Sequence, residues 1–243
     1  MMRERGGFCP FHHWEEVVMR VITLVFAAIL CVLLGSIILA ASKPKMAIAN
    51  ADGPPNRYTG APGDLGTCGS CHTGASGTGA LVLNLQAFNG GYTPGVIDTF
   101  YVFIADPAPT QMRWGFQVTA LKNSDNTAAG TLTPLATQGV WTGSSSAGGR
   151  TYIATRSNGS TTPMDSDDGT YWGFTGAVAW GVQWQAPTAG AGPVTFYVSA
   201  ISANADELAS GADNTYTNTL VVPESGTSPV TSTTWGKIKK KYP

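Results

Sequence analysis

The chain has 243 residues, 43% of them hydrophobic and only 12% charged, so it can build a core but carries about half the charge of an ordinary globular protein. From Asp52 onward it holds 12 acidic against 9 basic residues, a net of −3, and four of the nine are lysines in the last seven positions. No basic face remains to neutralise phosphates, which excludes nucleic-acid binding.

The first element is an apolar run. Val21 to Ala41 carries no charge, with Arg20 before it and Lys43 and Lys45 after it. Its length is close to the ~20 residues that a helix needs to cross a bilayer. Ala47-x-Ala49 and Ala49-x-Ala51 then supply the small-residue pattern of a signal-peptidase site. Met19 makes a more ordinary start for such a leader than Met1. The expectation is an exported chain, bound for the cell surface, the periplasm or the medium. Residues 1–51 form a leader that is either cleaved or kept as a membrane anchor through residues 21–41. Its partners are the export machinery and, if it is uncleaved, the membrane.

Residues 52–79, "DGPPNRYTGAPGDLGTCGSCHTGASGTG", are turn-rich and lack periodicity, so this stretch is expected to stay loose unless something fastens it. It contains Cys68-x-x-Cys71-His72. Cys9 and Cys31 lie in the leader with His12 and His13, which leaves Cys68, Cys71 and His72 as the cysteines and histidine of the exported region. A long-range disulfide within that region and a four-cysteine zinc site are therefore excluded. A Ser-His-Asp hydrolase would have to borrow the motif's own histidine, and the chain reads as non-enzymatic.

Three chemistries fit the spacing. The first is a c-type haem, with Cys68 and Cys71 in thioether bonds and His72 on the iron. The second is a local Cys68–Cys71 disulfide, suited to an oxidising compartment. The third is a metal loop of two thiolates and one imidazole, which lacks a fourth ligand. For haem, the local sequence offers only Leu65 as apolar cover, no helix carries the motif, and no second histidine is at hand. Met112 is the better candidate for the iron's sixth position, because it enters the strand of Trp114 and Phe116, whereas Met164 adjoins Asp165, Asp167 and Asp168. Those three aspartates would suit a weak Ca²⁺ site or, more simply, a solvated turn. Asn158-Gly-Ser160 fits a glycosylation sequon.

From residue 80 the pattern is period two. "ALVLNLQAF", "DTFYVFIAD", "RWGFQVTAL", "AVAWGVQWQAP", "GPVTFYVSAI" and "TYTNTLVVP" read as strands, the second apolar on both faces and therefore central. "GTLTPL" and "RTYIATR" are weaker candidates and bring the total to seven or eight. Trp180 and Trp184 alternate as core residues. Short strands without intervening helices predict an all-β antiparallel sandwich over residues 80–224. Residues 225–243 form a Ser/Thr linker, expected to be flexible, and a basic tail, "WGKIKKKYP", read as a solvated terminus ahead of the alternatives of a contact with an acidic surface or a sorting address.

The ordered series "GPPNRYTGAPGDLGTCGSCHTG", "YTPG", "RWGFQVTAL", "RTYI", "WQAPTAGAGPVTFYVSAISAN" and "NTYTNTLVV", spanning about residues 53 to 223, resembles the exported bacterial choice-of-anchor V domain. That domain is similar to the Reeler domain of reelin-type and spondin-type proteins. The resemblance implies an immunoglobulin-like β-sandwich at the cell surface or in the secreted fraction. It places the CxxCH of the family on Cys68, Cys71 and His72, and its "FGF" segment on Trp114-Gly115-Phe116. The expected function is electron transfer or haem-linked sensing through one c-type haem. The alternative is a non-enzymatic adhesion or binding module in which a Cys68–Cys71 disulfide only stiffens a loop.

Overall fold

Strands are expected where apolar residues recur at every second position, and nine strands are seen among the residues that the computed structural model describes, 19–26, 29, 53–74, 79–84, 88, 90–135, 140–144, 149–209 and 211–226. The chain divides into two compact units, Met1–Lys45 and Met46–Pro243. In the first, residues 19–26 and 29 are helical, and Thr23 Oγ1 donates to the Met19 carbonyl at 2.8 Å. No helix among the described residues is long and apolar enough to cross a membrane. Most of the run 21–41, the cleavage patterns and the "WGKIKKKYP" tail lie outside the described residues.

The second unit is an antiparallel sandwich. Its strands are β1 (Ala80–Asn84), β2 (Ile97–Asp106), β3 (Arg113–Lys122), β4 (Thr131–Pro134), β5 (Val140–Ser144), β6 (Thr151–Thr155), β7 (Gly176–Gln185), β8 (Val194–Ala203) and β9 (Asn214–Val222). One sheet has the order β1-β2-β7-β4 and the other β5-β6-β3-β8-β9. All eight strands read from the periodicity are present. The ninth, β5, is the short "VWTGS", too brief and too poor in alternation to register as a strand. As its two apolar faces imply, β2 is interior to its sheet, paired in register on both sides (Phe103 opposite Val82 and Ala179).

Between the sheets lie Phe100, Val102 and Ile104 of β2, Trp114, Phe116 and Val118 of β3, Trp180 and Trp184 of β7, and Phe196 and Val198 of β8. Trp180 and Trp184 are fully buried, and their indole N–H groups donate to the carbonyls of Gly169 and Ala129 respectively, each at 2.8 Å. A buried indole keeps its place only when that donor is satisfied. Asp106, at the end of β2 and fully buried, ties the two sheets together. Its Oδ2 accepts from Ser202 Oγ on β8 (2.6 Å) and from Tyr216 Oη (2.6 Å) and Asn214 Nδ2 (2.8 Å) on β9. At the margin of the sandwich, Asn218 Nδ2 of β9 donates to the Leu81 carbonyl of β1 at 2.8 Å.

The turn-rich stretch before β1 is fastened, and the polar residues of the five-stranded sheet do it. Gln117 of β3 accepts from the Tyr58 backbone N–H at 2.7 Å and donates to the Pro55 carbonyl at 3.1 Å. Ser199 of β8 accepts from the Cys68 N–H at 2.9 Å. Asp64 accepts from Tyr152 Oη (2.6 Å) and Thr59 Oγ1 (2.6 Å), and pairs with Arg150 at 3.3 Å. Gln117 and Ser199 have no exposed surface, so these bonds form away from competing water. Replacing Gln117 with Ala strands the Tyr58 N–H, a local loss on the order of 1–3 kcal/mol. Amide exchange at Tyr58 and proteolytic nicking within residues 53–74 should both accelerate while the strands stay protected. Unchanged exchange at Tyr58 would show that Gln117 does not hold the segment.

Candidate functional site

The CxxCH motif is folded into one tight turn. Thr67 caps a 3-10 turn over Cys68–Ser70, with Ser70 Oγ accepting from the Thr67 N–H at 3.1 Å. The Cys68 carbonyl then accepts from both Cys71 N–H (3.2 Å) and His72 N–H (3.0 Å). With the turn tied down through Ser199, both cysteines and the histidine line a single cavity of about 500 Å³.

The walls of that cavity correct the expectation that Leu65 is the sole apolar cover. Leu65 is 63% exposed and takes no part in the lining. Pro54, Pro55 and Tyr58 come from the fastened segment, Trp114 and Phe116 from β3, and Ile201 from β8. Gly115 keeps the strand face open between them. A Cβ there would come within 2.9 Å of Thr155 Oγ1 and 3.3 Å of Ile201 Cγ2. Arg113 and Glu207 are the charged members of the lining besides the motif itself.

The three motif side chains differ in state. Burial of its sulfur pushes the Cys68 thiol up to about 11, against the hydrogen bond from Ser199, although the residue as a whole keeps some accessible surface. At neutral pH it is a thiol, not a thiolate. Cys71 is exposed, and neither cysteine is in a disulfide, so the local-disulfide alternative is not the state seen here. His72 is mostly enclosed, and its Nδ1 lies 2.7 Å from Oδ2 of Asp213, a buried residue just before β9.

Met112 is not brought to the motif. It is half-buried, its N–H donating to the Ala203 carbonyl (2.9 Å) and its carbonyl accepting from Gly173 N–H (2.7 Å), and it is not part of the cavity lining. The strand turns the next residue, Arg113, onto the wall instead, where its Nε donates to Thr170 Oγ1 at 3.3 Å and its guanidinium sits 5.5 Å from the centre of the Trp172 ring. Met164 is 64% exposed. The aspartates beside it are engaged in turn bonds: Asp165 accepts from the Asp167 N–H (2.9 Å), and Asp168 from Thr170 Oγ1 (2.8 Å). Among the described residues no group of three or more His, Cys, Asp or Glu is placed to hold a metal ion, and the separate metal-loop reading finds no fourth ligand there. Asn158 of the sequon is exposed and donates to Asp165 at 3.2 Å.

The donor set fits a covalently held haem. Two thiols two residues apart and an adjacent imidazole share an enclosure whose walls are largely apolar. Sequence reasoning singled out the three motif residues and the Trp114–Phe116 strand, and missed both Asp213 and the walls from Pro54, Pro55, Tyr58 and Ile201. Asp213 lies in "GADN", which reads only as turn chemistry, and is 141 positions from His72.

The fold and site together define a two-sheet antiparallel β-sandwich with a cysteine–histidine cavity beside one sheet. No family model matches the chain, and no curated protein matches it. Among solved structures it is similar to the reelin-N domain of F-spondin, with 18% identity over 60% of this chain and 87% of that one at a TM-score of 0.37. It is similar to the reeler domain of human F-spondin at 20% identity, over 61% and 91% of the two chains and a TM-score of 0.37. A third similarity, at 13% identity over 63% and 93% with a TM-score of 0.37, is to AvmM, described as catalysing macrocyclization in alchivemycin A biosynthesis.

Proposed function

We propose that the chain is an exported, Reeler-like β-sandwich bearing one covalently attached c-type haem at Cys68, Cys71 and His72, and that it serves electron transfer or haem-linked sensing at the cell envelope. The observation that carries this reading is that both cysteines and the histidine line one largely apolar cavity. The apolar leader supports export, and the resemblance of residues 53 to 223 to the choice-of-anchor V domain supports a cell-surface or secreted setting.

In this reading Cys68 and Cys71 would hold the haem through thioether bonds, which form by addition of each S–H across a vinyl group and need no oxidant. His72 would supply a ring nitrogen to the iron. Pro54, Pro55, Tyr58 and Ile201 would exclude water from the ring, and the tie between Ser199 and Cys68 fixes the turn that carries both sulfurs. The haem itself supplies a one-electron couple.

Full-length chain made in a host with haem-attachment machinery should show a Soret band that survives denaturation and solvent extraction. A variant with both Cys68→Ala and Cys71→Ala should lose all covalently retained haem, and His72→Ala should alter the visible spectrum of what is attached. Absence of any Soret band in the wild-type chain would sink the reading.

A further inference from the structure

We infer that Asp213 is the positioning residue for His72, its buried carboxylate holding the Nδ1 edge of the ring so that Nε2 is the nitrogen left to donate a lone pair. The inference rests on the reading of His72 as the iron ligand and adds a residue that the motif does not contain.

An ionised carboxylate only accepts hydrogen bonds, so at 2.7 Å from Asp213 Oδ2 the Nδ1 of His72 carries the hydrogen. In a neutral imidazole the other nitrogen, Nε2, then has the lone pair. Metal-binding histidines depend on such a partner on their second nitrogen, which fixes the tautomer and the ring plane and raises the ring's donor strength. Asp213 is equipped to hold its place. It is 1% exposed, the preceding residue's carbonyl accepts from Gln111 Nε2 at 2.9 Å, and the following residue, Asn214, is in register opposite Ser202 of β8. The bond thus joins the loop of the motif to the first residues of the last strand. Burying a carboxylate is costly. A neutral amide would offer the same hydrogen-bond acceptor at lower cost, and what it lacks is the negative charge that strengthens the ring as a donor.

The test has two arms. In the first, nitrogen–proton correlation spectra of the full chain without haem are compared with those of its His72→Ala variant, and the difference isolates this imidazole. The expected pattern is a proton on Nδ1 and a bare Nε2. A proton on Nε2 with a bare Nδ1 overturns the inference, and this arm needs no altered Asp213. In the second, haem-loaded Asp213→Asn should show a higher reduction potential and a lower iron–imidazole stretching frequency than wild type, with Asp213→Glu recovering part of both. A folded Asp213→Asn protein with potential and stretch unchanged also overturns it. If wild-type chain takes up no haem, the haem reading fails while the first arm still decides the role of Asp213.

Discussion

Asp106→Ala is expected to lower stability on the order of 3–5 kcal/mol, a large share of what a domain of this kind holds in reserve. Removing the carboxylate leaves buried Ser202 and Tyr216 and half-buried Asn214 without their shared acceptor, and frees the Ala108 N–H that bonds Asp106 Oδ1 at 2.9 Å. Asp106→Asn should cost less, because the amide oxygen still accepts. Burial alone would raise the Asp106 carboxyl, but the bonds from Ser202, Tyr216, Asn214 and Ala108 outweigh it and hold the group below the usual carboxylate range. A folded-state value below the unfolded one means the unfolded chain binds the proton first. The contribution of Asp106 is therefore complete above the unfolded value of about 3.9 and disappears as the pH falls through the folded value. Tyr216 behaves in the opposite sense. Burial and the Asp106 bond push it up to about 12, so its share persists up to about pH 10 and fades above that. Urea unfolding of wild type and Asp106→Ala from pH 7 down to pH 2 should show the gap between them narrowing in acid. A loss below about 1 kcal/mol at pH 7 would remove Asp106 from its role as the tie between sheets.

Gly74→Ala should disable the site while leaving the sandwich folded. A Cβ at Gly74 would overlap the carbonyl oxygen of Asp213, which belongs to the backbone leading into β9 and has no rotamer by which to withdraw. The loop must therefore move, and because Gly74 is two residues from His72, the ring is drawn away from the Asp213 carboxylate. The expected cost in global stability is about 1–3 kcal/mol, as for other overpacked positions. The local effect is larger: the fixed protonation of Nδ1 is lost, and haem-loaded protein departs from the spectrum of histidine ligation. Far-ultraviolet circular dichroism should remain that of the wild-type sandwich. A variant structure in which the ring and carboxylate keep their present separation would refute this account.

The strands were legible because burial on one face leaves an alternation that a single sequence displays. Trp114, Phe116, Trp180 and Trp184 announce the inner face before any coordinate is known. What stayed hidden was the outer face of the five-stranded sheet. Gln117 and Ser199 alternate with apolar neighbours and read as solvent-facing positions, whereas they are fully buried beneath residues 53–74. Polar side chains that bond a covering loop look, in sequence, the same as polar side chains that bond water. For the site, local spacing delivers Cys68, Cys71 and His72, because the motif's chemistry is contained in five consecutive residues. It cannot deliver Ile201, which β8 brings to the cavity, or Asp213, which meets His72 from the segment before β9, nor can it tell that Arg113 and not Met112 faces the wall. That choice depends on where the strand begins its pleat.

The bond from Asn218 to Leu81 bears on how copies of this chain treat one another. β1 and β9 are the outermost strands of their sheets, and an outer strand normally offers its free carbonyls to any extended segment that drifts alongside. Here one such carbonyl of β1 is already taken, by a side chain from the opposite sheet. A foreign strand adding at that margin would have to displace an internal partner before gaining a bond of its own. The seam thus discourages polymerisation by strand addition without a proline, a bulge or a charged residue at Leu81 to do it.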